Sequence, residues 1–178
     1  MEYKIIKSKR KTLCLEITTE GLLVRVPIRA TKREIDDFIE KKQDWVLKHI
    51  DTFEKNKDVK KLTADELKAL AASALDYIPK RVEYYAGIIG VRFSRITIRN
   101  QRTKWGSCSA KGNLNFNCLL MLTPPEVIDS VVVHELCHIR HLNHSKEFYQ
   151  LVLKTYPDYY KYNNWLKENG RAIMTRMV

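Results

Sequence analysis

Three residues in the second half of the chain have the types and spacing of a hydrolytic metal site. His134 and His138 are four residues apart, and Glu135 directly follows the first histidine. On an α-helix, positions four apart lie about 40° apart around the axis and one turn apart along it, so two imidazoles can share one metal ion. Glu135 then stands beside the histidine face, where a carboxylate can act as a general base without being a ligand.

The residues around this motif favour a helix with two distinct faces. With His134 taken as zero, His138 and His141 fall within about 40° of it, whereas four apolar side chains fall between about 120° and 200°. Those four are Ile128, Val132, Leu136 and Ile139. A chance match to the motif would not usually separate the two kinds of residue so cleanly, and the separation therefore supports a metal site on a helix that packs against a core.

Two later histidines compete for the third ligand position. His141 stays on the histidine face but lies about 10.5 Å from His134 along the axis, too far for both to bind one tetrahedral ion. His144 can reach the metal only if the helix ends first and the chain bends back. Asn143 tolerates the left-handed backbone conformation that could make this bend, and Ser145 can cap the next helix. We predict His144 as the ligand.

Other residues remain candidates for supporting roles. A carboxylate could complete the site instead of His144, and Asp158, Glu168 and Glu147 are the candidates. With His144 as the third ligand, His141 would contact a ligand or the substrate, or would be an exposed side chain without a role in the site. Arg102 and Tyr149 are candidates for stabilising negative charge on a reacting carbonyl.

Three neutral imidazoles would leave a zinc ion with an open fourth position for water. Zinc lowers the pKa of such a water to about 7, and Glu135 can take its proton during attack on a carbonyl and pass it to the leaving amine. We therefore expect one Zn²⁺ per chain.

Composition narrows the class of protein. Hydrophobic residues make up 44% of the 178 residues, enough to bury a core, and no apolar run approaches the about 18 residues of a membrane span. The N-terminus lacks the apolar region of a secretory signal, so we expect a cytoplasmic protein. Four scattered cysteines without a CxxC pair argue against disulfides or a thiolate zinc site. The net charge of +11 could attract nucleic acid, although the cations are spread along the chain.

The first third of the chain predicts a small α+β domain, placed at residues 1–58. Thr31 and Glu34 have the spacing of a capping box and open a helix whose apolar residues recur as far as Ile50. The lysine-rich residues 55–62 predict a connector. Three strands, which we expect to form an antiparallel meander, are predicted at residues 3–7, 12–19 and 22–27.

The rest of the chain, residues 59–178, predicts a second α+β domain. Thr63 and Glu66 form another capping box, which opens a long helix ending at Gly90 and kinked or interrupted at Pro79. A small antiparallel sheet and three helices follow. The strand is predicted at 91–100, the hairpin at 107–118, and the helices from Pro124, at 145–155 and at 158–169, the last closed by Gly170.

Several segments together resemble the YgjP-like metallopeptidase family. They are Trp105-Gly106-Ser107-Cys108-Ser109, Gly112 to Asn117, Val131 to His138 and Asn143-His144-Ser145. The resemblance spans nearly the whole chain. It implies a zincin-like catalytic domain related to the WLM and SprT-like proteases, with zinc bound by His134, His138 and His144 and with Glu135 catalytic. The histidine spacing also matches the metzincins, but His141 stands at their glycine position and no Met-turn follows.

The family motifs and the site helix also provide candidates for substrate binding. They are Trp105, Ser107, Asn117, His141 and Tyr149. In zincins an extended peptide commonly pairs with a sheet edge beside the active-site helix. The segments 114–119 and 104–107 are the two candidates for that edge.

These observations predict a zinc metallopeptidase that acts on a peptide or protein, with no role at a membrane. A first alternative is a nucleic-acid-associated module with a structural zinc site, or a protease for DNA-bound proteins. A second is a metal-dependent amidase. Glu135 favours an enzyme, because a purely structural site has no use for a carboxylate beside an open coordination position.

Overall fold

The computed structural model describes residues 3–18, 21–47, 50 and 60–177. The chain divides into two compact units, Met1–Val59 and Lys60–Val178, and each is described by itself. The predicted domain boundary after residue 58 and most of the predicted connector lie outside the described residues.

The sheet of the first unit is mixed, and the predicted antiparallel meander is wrong. Strand β3 (Gly21–Pro27) lies in the centre, parallel to β1 (Tyr3–Ser8) and antiparallel to β2 (Cys14–Thr18). Strands that are buried on both faces consist of continuous apolar runs. Leu22, Leu23 and Val24 form such a run in β3, which takes the central position, while the largely exposed β1 becomes an edge.

One helix of this unit begins as predicted and ends early. Helix α1 (Lys32–Glu40) starts with a capping box in which Thr31 and Glu34 bond to each other's backbone N–H groups. It buries Ile35 against the apolar face of β3. The helix predicted to continue to Ile50 is interrupted by a turn at 41–42, after which residues 43–47 are helical again.

The second unit opens with a long helix, α2 (Ala64–Ile89), and its predicted ends are confirmed. Thr63 and Glu66 form the capping box, and Gly90 ends the helix in the left-handed conformation with φ of 72°. This conformation favours glycine because it has no Cβ to clash. Pro79 lies inside the helix without interrupting it, which corrects one of the two predicted outcomes at this residue.

The sheet of the second unit contains β4 (Arg95–Arg99), β5 (Gly106–Cys108) and β6 (Asn113–Asn117). The predicted hairpin is confirmed, since β5 is antiparallel to β6, and Gly112 provides the left-handed turn residue between them. The sheet is not purely antiparallel, because β4 pairs in parallel with the other side of β6. Strands β4 and β5 lie on opposite sides of β6, which is therefore the central strand, and residues 100–105 connect the two outer strands.

A 3-10 turn and three helices complete the second unit. A 3-10 turn (Cys118–Leu122) leads into α3 (Pro125–Cys137), which has Pro125 at its first position, as predicted. Helix α4 (Lys146–Thr155) is capped by the Ser145 hydroxyl, which accepts from the N–H of Phe148. Helix α5 (Tyr159–Thr175) runs through Gly170, so the prediction that this glycine closes the helix is wrong. Gly170 instead makes room for Trp105, whose Cζ2 would lie 3.0 Å from a Cβ there.

Helix α3 lies at the centre of the apolar core of this unit. Val132, Val133 and Leu136 have no exposed surface, and the core around them draws residues from α2 and β6. Arg81 of α2 donates two hydrogen bonds of 2.7 Å to the carboxylate of Asp129 on α3. Within the described residues, no helix has both the length and the hydrophobicity needed to cross a bilayer.

Candidate metal centre

Three imidazoles converge on one point at the end of α3. The Nε2 atoms of His134 and His138 lie 3.2 Å apart, and Nε2 of His144 lies 3.1 Å from each of them. Among the described residues, this is the group of three or more His, Cys, Asp or Glu side chains that could hold one metal ion. The carboxylates considered as alternative ligands do not belong to the cluster.

The geometry of the cluster fits a zinc ion. Zinc binds imidazole nitrogens at about 2.0–2.1 Å, and a tetrahedral arrangement at that distance separates the ligand atoms by about 3.3 Å. The observed separations of 3.1 to 3.2 Å are close to this value. Three neutral imidazoles would also leave one position of a tetrahedral ion open.

The chain reaches His144 by a route that the sequence did not indicate. Helix α3 ends at Cys137, and His138 is its C-cap with a right-handed backbone. The N–H of Arg140 and the N–H of His141 both bond to the carbonyl oxygen of Cys137, which closes a tight turn. Asn143 is not left-handed, since positive φ in the described residues occurs only at glycines. The helix ends before His144 and the chain bends at residues 142–143, as predicted, but the helix already ends at Cys137 and the predicted left-handed conformation of Asn143 is wrong.

The segment after this turn is fastened to α2. Nη2 of Arg140 donates to the carbonyl oxygen of Gly90 at 3.1 Å. Gly90 follows the last residue of α2, where carbonyls have no partner within the helix. The hydrogen bond satisfies one such carbonyl and holds the segment that carries His144.

A backbone carbonyl determines the tautomer of His138. Its Nδ1 lies 3.0 Å from the carbonyl oxygen of His141. A carbonyl only accepts, so Nδ1 carries the proton and donates. In the neutral ring this leaves a lone pair on Nε2, which is the atom that faces the other two histidines.

His134 is the most enclosed of the three rings. Burial, together with the neighbouring His138 and His144, lowers the pKa of His134 to about 4. Its Nδ1 lies 2.9 Å from the hydroxyl oxygen of Tyr159 on α5. A low pKa keeps the imidazole neutral at physiological pH, as a metal ligand must be.

The Phe148 ring packs against all three imidazoles. Its ring centroid lies 5.0 Å from that of His134, 4.5 Å from that of His138 and 4.9 Å from that of His144. Phe148 has no exposed surface. The sequence predicted neither Phe148 nor Tyr159 as part of the site. Both act through packing between helices, for which sequence spacing carries no signal.

Glu135 projects into a confined space beside the histidines. It is 7% exposed, and burial raises its pKa to about 7, partly offset by the nearby Lys104. The neighbouring strand leaves room for it at Gly106, where a Cβ would lie 2.7 Å from both Cγ and Oε1 of Glu135. A carboxyl group with a pKa near neutrality is well suited to accept and release a proton.

A pocket of about 200 Å³ adjoins His134 and Glu135. Its walls come from α3, from α5 and from the start of β5. The lining residues are Lys104, Trp105, Gly106, Ser130, Val131, His134, Glu135, Tyr159, Asn163 and Leu166. The pocket is large enough for one side chain of a substrate.

Two of the predicted substrate-binding residues lie next to the histidine cluster. Trp105 is half-buried and lines the pocket. The Tyr149 ring is stacked between those of His144 and Tyr160, with centroids 6.1 Å from each.

The other predicted contacts lie in the surrounding framework. Ser107 accepts a hydrogen bond from Asn115 on the neighbouring strand. Asn117 is fully buried and donates to the carbonyls of Gln101 and Lys104, so it fastens the segment before β5. His141 supplies its carbonyl to His138.

Of the two candidates for charge stabilisation, Tyr149 lies beside His144, and none of the candidate carboxylate ligands is part of the cluster. Arg102 is exposed in the segment before β5. Asp158 precedes α5 as its N-cap, and Glu147 bonds to Ser145 at the start of α4.

Comparison with known proteins defines the class. The model of the YgjP-like metallopeptidase domain matches residues 11–68 and 58–169. With a three-histidine cluster beside a buried carboxylate, the chain is a metal-dependent hydrolase of the metallopeptidase class. It belongs to the YgjP-like family.

Two solved structures are similar to this chain. One is the metallopeptidase zymogen of Pyrococcus abyssi abylysin, with 21% identity, 57% of this chain and 99% of that chain covered, and a TM-score of 0.47. The other is the metallopeptidase zymogen of Methanocaldococcus jannaschii jannalysin, with 21% identity, 52% and 95% covered, and a TM-score of 0.46. The search of the curated proteins found no match.

Proposed function

We propose that this chain is a zinc peptidase in which His134, His138 and His144 bind one Zn²⁺ and Glu135 is the general base. The observation that carries the proposal is the convergence of three Nε2 atoms within 3.2 Å of one another, with Glu135 next to the first histidine on α3. We assign this role to the second domain, residues 59–178.

The residues of the chain have separable tasks in the reaction. Zinc, when bound, supplies a Lewis acid that polarises the scissile carbonyl and lowers the pKa of water. The Glu135 carboxylate takes the proton from the attacking water and delivers it to the leaving amine. Burial raises the pKa of Glu135 in the metal-free protein, and a bound cation would lower it again and favour the carboxylate form that accepts the proton. The surrounding apolar side chains limit access of bulk water to this proton.

The sheet topology supports binding of an extended peptide along β5. Strand β6 has β4 on one side and β5 on the other, so the segment 114–119 has no free edge. Within the described residues β5 pairs only with β6, and its Gly106 lies beside Glu135. Of the two edges predicted from the sequence, the segment 104–107 therefore fits a substrate better than the segment 114–119. A peptide that adds as a further strand there would pass close to the histidines.

Binding surfaces for side chains flank the proposed path on two sides. The pocket between α3 and α5 would take a substrate side chain, with Trp105 and Leu166 as apolar walls and Lys104 as a cationic one. Tyr149, beside His144, offers an aromatic surface on the other side, extended by Tyr160. We assign direct substrate contacts to Trp105, Tyr149 and the edge of β5, while Asn117 acts through the segment that it fastens.

Metal analysis combined with a cleavage screen tests this function. The purified protein should contain about one zinc per chain, and His134→Ala, His138→Ala and His144→Ala should each lose most of it. The zinc-loaded protein should cleave members of a proteome-derived peptide library. Glu135→Gln should keep the zinc and lose the cleavage. Cleavage that persists in Glu135→Gln would refute the assigned base, and zinc that persists in all three histidine variants would refute the site.

The same screen distinguishes a peptidase from an amidase. A peptidase should act on internal bonds of extended peptides, because affinity comes from strand pairing along several residues. An amidase should act equally well on small acyl amides that cannot pair with β5. Turnover of small amides without cleavage of peptides would favour the amidase.

A second candidate function is binding to nucleic acid, alone or together with proteolysis of DNA-bound proteins. Residues 84–125 contain six basic residues and no acidic residue. All six are exposed, and they surround the sheet of the second unit: Arg92, Arg95, Arg99, Arg102, Lys104 and Lys111. Such a surface would attract phosphates through charge and would show no sequence preference.

DNA binding at graded salt concentration tests this candidate. Binding should weaken steeply with salt and should be lost in Arg95→Glu combined with Arg99→Glu. Lys167→Glu combined with Arg171→Glu changes the net charge equally at exposed positions of α5 and is the control. Equal losses in both double variants would indicate attraction by net charge only, and the absence of binding at low salt would dismiss the candidate.

A further inference from the structure

The contact between Tyr159 and His134 joins two helices at the candidate metal centre. The Tyr159 hydroxyl oxygen lies 2.9 Å from Nδ1 of His134. The two rings are stacked, with an interplanar angle of 14° and centroids 6.0 Å apart, and Tyr159 is 4% exposed. Resting on the proposed function, we propose that Tyr159 is a positioning residue that accepts a hydrogen bond from Nδ1–H of His134 and so directs Nε2 toward the metal.

The chemistry of the phenol decides what this contact can do. A metal on Nε2 of a neutral imidazole requires the proton to be on Nδ1, and the Nδ1–H must then find an acceptor. The phenol oxygen of Tyr159 is the acceptor at hydrogen-bond distance. Without it, a buried N–H would be left without a partner, which opposes this tautomer.

A hydroxyl can donate or accept a hydrogen bond, whereas a backbone carbonyl can only accept one. The backbone carbonyl beside His138 holds that ring in one tautomer at all times. The hydroxyl of Tyr159 can rotate and either donate to Nδ1 or accept from it. When it donates, the proton of His134 is on Nε2 and can bond to the lone pair of His138 at 3.2 Å. His134 thereby has satisfied hydrogen bonds both before and after the metal binds. Entry of the metal requires a shift of the His134 ring from the Nε2–H to the Nδ1–H tautomer, and the Tyr159 phenol remains neutral.

The surrounding packing makes the hydroxyl separable from the ring. His134 also contacts Phe148 edge to face, so its plane is restricted by two aromatic side chains. Tyr159→Phe keeps the stacked ring and removes only the oxygen. A purely structural role of Tyr159 would therefore survive this substitution, whereas the positioning role would not.

Zinc affinity, measured by competition with a chelator, tests the proposal. Loss of a hydrogen-bond partner of a metal-ligating histidine typically weakens metal binding about 10- to 100-fold, and we expect this range for Tyr159→Phe. The matched control is Tyr156→Phe, which removes a hydroxyl that donates to the carbonyl of Glu126 at 3.1 Å, away from the histidines. Its zinc affinity should match that of the unchanged protein.

Thermal unfolding of the metal-free proteins separates positioning from general destabilisation. If Tyr159→Phe and Tyr156→Phe lower the unfolding temperature similarly but only Tyr159→Phe loses zinc affinity, the proposal is supported. Equal zinc affinities in the two variants would overturn it. His134→Ala distinguishes this failure from that of the proposed function: zinc lost in His134→Ala but unaffected by Tyr159→Phe refutes the role of Tyr159 alone, and zinc retained in His134→Ala refutes the metal site itself.

Discussion

Gly106 lies so close to Glu135 that a Cβ on the glycine would be 2.7 Å from both Cγ and Oε1 of the glutamate. Real side chains do not approach to this distance, so any other residue at 106 would push the carboxylate or the strand aside. The first residue of β5 thus determines where the carboxylate of α3 can stand. The position of the proposed base therefore depends on the edge strand of the sheet.

Gly106→Ala is expected to impair catalysis and leave metal binding largely intact. A displacement of about 1 Å at a catalytic group can cost about 100-fold in rate, and we expect a loss of this order in kcat. The three atoms nearest to a Cβ at Gly106 all belong to Glu135, so zinc affinity should change little. Gly87→Ala is the control, because a Cβ there meets nothing within 4 Å. Unchanged peptide cleavage in Gly106→Ala would show that Glu135 is not the base or has room elsewhere.

Gly170→Ala is expected to destabilise the second unit because α5 packs directly on Trp105. The added Cβ would lie 3.0 Å from Cζ2 of the indole. Overpacking typically costs about 1–3 kcal/mol, although alanine favours a helix interior by up to about 1 kcal/mol over glycine. Urea unfolding should show a net loss of stability. The same substitution in a Trp105→Leu background should be neutral or stabilising, and an equal loss in both backgrounds would exclude this contact as the cause.

Arg140→Met is expected to weaken zinc binding without touching a ligand. Arg140 fastens the segment between His138 and His144 to Gly90, and its loss frees that segment to move. The entropy of ordering the segment would then oppose metal binding. An added cost of about 1.4 kcal/mol would weaken the zinc affinity about 10-fold, and we expect a loss of this order. Arg176→Met removes an arginine that donates to the carbonyl of Lys60 and is the control. Identical zinc affinities in the two variants would contradict the role of Arg140.

Glu135→Gln is expected to stabilise the metal-free protein, and the effect should grow with pH. Burial raises the pKa of Glu135 from 4.5 to about 7, so the folded state favours the neutral acid. The stability that this group contributes is present below about pH 4.5 and is lost as the pH rises through 7. Glutamine stays neutral and avoids the loss, which amounts to at most about 3 kcal/mol. Urea unfolding of both proteins at pH 5 and pH 8 measures the difference. A gap that is equal at the two pH values would mean that Glu135 is not buried as described.

Local sequence patterns predicted the parts of this chain that short-range physics controls. The two capping boxes, the glycine C-cap of α2, the hairpin and the Ser145 cap all depend on residues within a few positions of one another. The same holds for His134, Glu135 and His138, whose relative placement follows from helical periodicity. Patterns that need distant partners predicted less. The purely antiparallel pairing predicted for both sheets was wrong, because β1 and β4 each pair in parallel with the central strand of their sheet, and such pairing depends on elements distant in the sequence.

The sequence by itself therefore determined that His134 and Glu135 lie on one helix with His138 one turn further on, and that a third histidine follows. Only the tertiary structure decided how they meet. The turn after Cys137 and the anchor at Gly90 bring Nε2 of His144 to 3.1 Å from the other two histidines. Tyr159 reaches His134 from another helix, and Gly106 makes room for Glu135 from a strand. These relationships depend on packing between elements far apart in the chain, and no spacing along the sequence records that packing.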